Sequence, residues 1–329
     1  MSHSNISIFV PHLGCPHQCS FCNQKHITGQ SKLPNAQDVE DAVNIAITSK
    51  KYDKDSCEIA FFGGSFTAID RDYMLLLLKT AYQFIKNGQV SGIRISTRPD
   101  CIDNVILTIL KQFGVTAIEL GAQSMNDFVL EANNRGHRAE DVVKASKLIK
   151  EFGFSLGLQM MTGLFKSSEA DDLYTADKII ELQPDTVRIY PTITIKNTYL
   201  EKLYTEGSYA PQTLESAVAL ATKIEDKFIN NNINVIRVGL HSIEAESYVA
   251  GPWHPAFREL CDSLRCREQL AKALSKKAEY IVRVNDTELS KFIGQKRSNI
   301  KHFEDLGFKI KFIPDNTVNK SDFIIEEVK

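Results

Sequence analysis

Short runs rich in β-branched and aromatic residues alternate along this chain with longer stretches whose apolar positions recur at helical spacing, the pattern of strands and helices in repeated succession. Ile6 to Val10 reads as the first strand, and a helix follows from about Gln37 to Thr48. Cys57 to Phe62 is the second, trailed by Gly63-Gly64 and a helix from about Arg71 to Ile85. Ile93 to Thr97 and Thr116 to Leu120 are the third and fourth. Phe154 to Met161 is the fifth, after a helix over Ala139 to Glu151, and Thr186 to Tyr190 is the sixth. Six βα units in sequence predict an α/β fold, a partial (β/α)6 barrel around a parallel sheet. In such a barrel the loops at the carboxyl ends of the strands gather at one mouth, so chemistry is expected there.

Beyond Tyr190 the pattern loosens into a helix near Thr213 to Asn230, a strand near Val235 to Gly239, and the segment Gly251-Pro252-Trp253-His254-Pro255. A boundary between about Leu264 and Lys276 is expected to divide a barrel domain with its extension, residues 1–265, from a small α+β appendage, residues 276–329. The appendage reads strand, helix, helix, strand over Tyr280 to Val284, Thr287 to Ile293, Asn299 to Leu306 and Phe308 to Phe312.

Composition narrows the class. The 329 residues are 43% hydrophobic and 24% charged, as in a folded globular protein. No apolar run is long enough to span a bilayer, and the N-terminus lacks a basic region followed by an apolar core, so no membrane role and a cytoplasmic location are expected. A formal net charge of -2 excludes a globally basic nucleic-acid binder but leaves room for a local basic patch.

Three of the seven cysteines fall directly after the first strand, in Cys15-Pro16-His17-Gln18-Cys19-Ser20-Phe21-Cys22. Clustered thiols in a reducing compartment point to metal or redox chemistry. Cys15, Cys19 and Cys22 on so short a loop suit three irons of a 4Fe-4S cubane, with the fourth iron left open. That open iron can chelate S-adenosylmethionine (SAM) through its amino and carboxylate groups. The alternative is a structural zinc completed by His12, His17 or His26, although zinc thiolates usually come as C-x2-C pairs. Cys57, Cys101, Cys261 and Cys266 are expected to be ordinary buried thiols.

The C-x3-C-x2-C spacing after a first strand resembles that of the radical SAM superfamily. Further segments between Ser7 and Arg258 resemble the radical SAM domain of the Elongator catalytic subunit and, more distantly, the oxygen-independent coproporphyrinogen oxidases. The resemblance implies SAM as a second cofactor and assigns residues to it. Gly63 and Gly64, in Gly63-Gly64-Ser65-Phe66-Thr67, fall where backbone carbonyls receive the SAM amino group, an approach that the lack of a Cβ permits. Ser96 in Ser96-Thr97-Arg98-Pro99-Asp100 stands where the Elongator pattern has a glutamate, offering a hydroxyl instead of a carboxylate. Gln123 of Glu119-Leu120-Gly121-Ala122-Gln123-Ser124 is implied to bond the SAM ribose, and Gln159 to add a polar contact. Arg135 of Asn133-Asn134-Arg135-Gly136-His137 is implied to grip the SAM carboxylate bidentately. Tyr190, in Arg188-Ile189-Tyr190-Pro191-Thr192, is the candidate catalytic residue, lining the substrate channel or relaying a hydrogen atom; a packed aromatic is the plain alternative.

The appendage resembles a minimal KH core, a module that clamps single-stranded nucleic acid with a Gly-x-x-Gly loop. Here the loop reads Gly294-Gln295-Lys296-Arg297, with Arg297 in place of the second glycine. Lys291, Lys296, Arg297, Lys301, Lys309 and Lys311 stand against only Glu304 and Asp305, so Gly294, Lys296 and Arg297 are expected to face RNA phosphates. Together these resemblances imply a radical SAM enzyme that modifies transfer or ribosomal RNA, without the Elongator acetyltransferase domain, and is fed by a one-electron donor such as flavodoxin or ferredoxin. Two other readings stay open: a small-molecule or haem-handling radical SAM enzyme, and an RNA-binding protein with a structural or sensory cluster.

Overall fold

The computed structural model describes residues 4–11, 17–23, 33–240 and 245–328. Seven strands, β1 (Ser4–Val10), β2 (Cys57–Gly63), β3 (Gly92–Thr97), β4 (Val115–Gln123), β5 (Ser155–Thr162), β6 (Thr186–Pro191) and β7 (Asn234–Val238), lie side by side in chain order. Every neighbouring pair is parallel. The helices between them are α1 (Ala36–Ile47), α2 (Arg71–Lys86), α3 (Asn104–Gln112), α4 (Asp127–Ala132), α5 (Ala139–Glu151), α6 (Glu169–Glu181), α7 (Tyr199–Thr205) and α8 (Leu214–Asn230). The sheet is a curled half-barrel, with β1 and β7 at its two edges.

The partial parallel barrel is as expected, and the strand expected near Val235 joins it by pairing in parallel with β6, which adds a seventh strand to the six βα units that the sequence pattern announces. The long connection through residues 194–195, α7 and α8 hides the βα period that announces the other strands.

Alternation along the strands separates two faces. Ile6, Ile8, Ile59, Phe61, Ile93, Ile95, Ile118, Leu120, Leu156, Leu158, Val187 and Ile189 join one continuous core with helix residues such as Val43, Leu77, Leu107, Val142, Ile179 and Phe228. The intervening positions, including Arg94, Ser96, Glu119, Gln159, Arg188 and Arg237, sit on the other, concave face in matching register. Parallel sheets buried on both faces are apolar on both. This one keeps charges on its inner wall, which marks that wall as something other than core.

Helix α9 (Phe257–Ala273) follows β7 and is held to α8 by Arg265, which reaches Glu225 at 2.6 Å and Asp226 at 2.5 Å. It runs through the segment where the sequence suggests a boundary, contributing Phe257 and Cys261 to the main core and Cys266 and Leu270 to a second one. That second core lies under a three-stranded sheet with β8 (Glu279–Val284) in the middle, parallel to β9 (Lys309–Pro314) and antiparallel to β10 (Phe323–Glu327). Helices α10 (Leu289–Ile293) and α11 (Ser298–Asp305) pack on it through Phe292 and Phe303. Among the described residues no helix is long and apolar enough to cross a membrane.

Candidate functional site

The cysteine loop leaves the end of β1. Cys15 lies outside the described residues, as do His12 and His26; the limb from His17 to Asn23 is described, and it is pinned from several sides. The Ser20 amide donates to the Asn133 carbonyl at 3.0 Å and its hydroxyl to Asn133 Oδ1 at 2.6 Å. The Leu200 amide at the start of α7 donates to the Ser20 carbonyl at 2.7 Å. Phe21 packs on Val129, Met161 and Leu164, the same cluster that receives Tyr190. Cys19 is buried and Cys22 half-buried, joined by a turn in which the Cys22 amide donates to the Cys19 carbonyl at 3.1 Å.

Asn133 to His137 forms the opposite side of this cradle. Arg135 Nη1 donates to Cys19 Sγ at 3.3 Å and Nη2 to the Gly121 carbonyl at 2.7 Å, while its buried Nε has no partner among the described residues. A Cβ on Gly136, at φ +76°, would sit 2.1 Å from the His17 ring, so only glycine lets the loop approach. His137 turns inward to the Ala122 carbonyl, and burial, followed by the charges of Arg135 and Arg98, pushes its pKa down to about 3. It is therefore a neutral imidazole.

Gly63 and Gly64 sit where β2 meets the end of β1. The Gly64 amide donates to the Val10 carbonyl at 2.9 Å, and a Cβ on Gly63, at φ +116°, would lie 2.5 Å from that oxygen. The adjoining loop is locked by a row of hydroxyls, Ser65 to Thr97 at 2.7 Å and Thr67 to Thr97 at 2.6 Å. Arg98 is spent on Asp100 in a bidentate pair at 2.9 and 2.7 Å. Burial works to raise the Asp100 pKa, and that pair outweighs it and lowers it. Gln123 and Gln159 meet each other at 3.1 Å, with Gln123 held at φ +66° at a bulge in β4. Non-glycine residues hold that conformation at a cost of about 1–3 kcal/mol, a strain that clusters at functional sites. Cys19, Gly63, Gly64, Gln123 and Arg135 thus converge on the carboxyl ends of β1, β2 and β4.

Deeper on the concave face runs a chain of charges for which the sequence suggests no role. Arg94 Nε bonds Glu58 at 2.9 Å and its Nη1 bonds Glu119 at 3.3 Å; Arg188 grips the same Glu119 at 2.6 and 2.9 Å. The Arg188 guanidinium also lies 5.4 Å from the centre of the Phe62 ring. The available signal was the period-two placement of Glu58, Arg94, Glu119 and Arg188 between core residues. Ser96 stands beside Glu119 in register, so a carboxylate is present one strand away from where the Elongator pattern has its own. Tyr190 lies next to Arg188; burial raises the pKa of its phenol, which stays protonated, against the opposing pull of that arginine.

The remaining cysteines join no metal-binding group among the described residues. Burial pushes the Cys261 and Cys266 thiols up to about 12 and about 11. In the appendage, Lys296 and Arg297 are exposed, but Lys291 is not available to a phosphate: it pairs with Asp262 at 3.3 Å and Glu288 at 3.1 Å. The loop from Gly294 to Arg297 joins α10 to α11 and lies against α9, where a Cβ on Gly294 would come 3.0 Å from Ser263 Oγ.

A curled parallel half-barrel with a cysteine loop after its first strand is the arrangement of a radical SAM protein, and comparison with known families agrees. The chain matches the Radical SAM superfamily over residues 9–179 and the Radical_SAM C-terminal domain over residues 184–265, so it belongs to the radical SAM superfamily. Membership carries a 4Fe-4S cluster and SAM as its cofactors. Within that family it is similar to the tRNA uridine(34) acetyltransferase of Dehalococcoides mccartyi (strain CBDB1), 27% identical over 307 residues, covering 80% of this chain and 66% of that one. Elongator complex protein 3 of Homo sapiens is 31% identical over 188 residues, covering 50% of this chain and 34% of its own. The chain therefore spans from about a third to two thirds of the length of these relatives. The solved structure of archaeal Methanocaldococcus infernus Elp3 with an N-terminal deletion shares the fold, with a TM-score of 0.67 at 20% identity over 85% of this chain and 66% of that chain.

The described residues fit these cofactors. Cys19 and Cys22 both lie on the described limb of the loop, Cys19 against the Arg135 guanidinium, and Arg135 Nε and His137 Nδ1 are buried polar atoms with no partner among the described residues.

Proposed function

We propose that this chain is an RNA-modifying radical SAM enzyme acting on transfer or ribosomal RNA. The observation that carries the reading is the concave wall of buried charges opening beside the cysteine cradle, in a chain whose relatives include a tRNA uridine(34) acetyltransferase. In this reading Cys15, Cys19 and Cys22 hold the cluster. Gly63, Gly64, Ser96, Gln123 and Gln159 surround SAM, and Arg135 spans the two, touching Cys19 and offering an Nε that has no partner among the described residues. Cluster and SAM together supply a 5′-deoxyadenosyl radical after reduction by a donor such as flavodoxin or ferredoxin. Tyr190 then faces the substrate as a neutral phenol able to donate a hydrogen bond, and Gly294, Lys296 and Arg297 meet the RNA backbone. The chain is expected to work in the cytoplasm.

Mass spectrometry of nucleosides from transfer and ribosomal RNA tests this reading in a strain lacking the gene and in its parent. A modified nucleoside missing from the deletion strain, and restored by the gene but not by its Cys19→Ala form, is the expected result. Identical nucleoside profiles would sink the RNA reading.

A further inference from the structure

Charge on the concave wall does not cancel. Glu58 and Glu119 are matched by Arg94 and Arg188, which leaves that chain of four neutral. Arg237, on the edge strand β7, is the surplus cation. Its Nε donates to the Gly239 carbonyl at 3.2 Å, and neither of its Nη groups donates to a protein atom among the described residues. Register sets Arg237 directly beside Arg188, so the two guanidiniums share one face. Burial, countered by Tyr190 and reinforced by Arg188, lowers the Arg237 pKa. A half-buried guanidinium beside another cation, with no ion pair among the described residues, is open to an anion, and its planar fork fits a phosphate or carboxylate at two points.

Position says which molecule would supply the anion. Arg237 and the cysteine loop belong to opposite edges of the sheet, β7 and β1. Arg135 already serves the cofactor end through Cys19. Between the two edges stands Tyr190, on β6, a neutral donor beside Arg188.

We propose that Arg237, with Tyr190 beside it, binds an oxyanion of the substrate, and that this oxyanion is the phosphate of a nucleotide drawn into the barrel mouth. The second clause rests on the RNA reading above; the first does not. The positive charge left on the wall is then the feature that selects a phosphorylated nucleotide over its nucleoside.

Calorimetric titration of the cluster-loaded chain in the presence of SAM tests this with three probes: uridine 5′-monophosphate, uridine and malonate. The monophosphate is expected to bind about tenfold or more tightly than uridine, and Arg237→Gln to bring the two within about a factor of two, while Arg237→Lys keeps part of the preference. Iron content and melting temperature matching the parent confirm that the variants are folded. If malonate binds in an Arg237-dependent way while the monophosphate gains nothing over uridine, the oxyanion site stands and the RNA reading falls. A parent chain that prefers neither anion overturns the proposal whatever the variants do, as does a preference that survives Arg237→Gln.

Discussion

Three hydrogen bonds from two arginines converge on Glu119, whose side chain is only 6% exposed. Removing one partner of a buried ion network leaves the others uncompensated, which typically costs about 3–5 kcal/mol. Glu119→Gln keeps the shape and removes the charge, so denaturant unfolding is expected to show a loss of that order; a change under about 1 kcal/mol would mean that water already screens the site. This contact was not legible in the sequence, because Glu119 and Arg188 lie 69 positions apart and only the curl of the sheet brings them together. Arg135 was partly legible: its motif marked it, but its place against Cys19 depends on a turn between α4 and α5 that no spacing reveals. His137 gives a second test at this scale. Its pKa falls from 6.5 to about 3 in the folded cluster-free chain, so between those values the unfolded chain binds more protons and stability rises with pH. The contribution is complete above pH 6.5 and is lost as the pH drops toward 3. His137→Gln is expected to flatten the stability profile across that window, and parallel profiles for parent and variant would contradict the assignment.

At the scale of elements, the loop between α10 and α11 shows how a sequence departure and a backbone can disagree. Arg297 replaces the second glycine of a Gly-x-x-Gly pattern, yet Lys296 and Arg297 sit at φ 53° and 62°, the left-handed region that glycine suits. The loop keeps that shape because Asn299 anchors it, donating to Ser263, Lys291 and Phe292. Arg297→Gly should therefore raise stability by up to about 1 kcal/mol, the steric cost of a left-handed arginine less the greater entropy loss of glycine. The same variant should weaken RNA binding through the lost charge, most clearly at low salt. A drop in stability would show that the arginine side chain makes contacts that outweigh its strain. The barrel strands and the helices α1, α2, α5 and α8 were legible to within a few residues because their periods are local, whereas α3, α4, α6, α7 and the last strand, β10, were not marked. The seventh strand was legible as a segment, but its place beside β6 was not, since a long irregular connection separates the two.

For the whole molecule, six βα units in sequence are enough to reach a parallel barrel, and the placement of each unusual motif after a strand predicts where the site gathers. What escaped is the character of the inner wall. Isolated Glu and Arg residues within strands read as solvated positions until the sheet curls and faces them toward one another. Helix α9 escaped for a related reason, since it divides its apolar residues between two cores and so shows neither pattern cleanly. The account of the molecule as a radical generator rests most directly on the cysteine loop. Its sharpest test is the anaerobically purified and reconstituted chain, mixed with SAM and a strong reductant and assayed for 5′-deoxyadenosine. The expected result is a brown protein with about four irons that releases 5′-deoxyadenosine, and a Cys19→Ala form that does neither. Colourless protein holding a single zinc, or cleavage of SAM that survives Cys19→Ala, would contradict it.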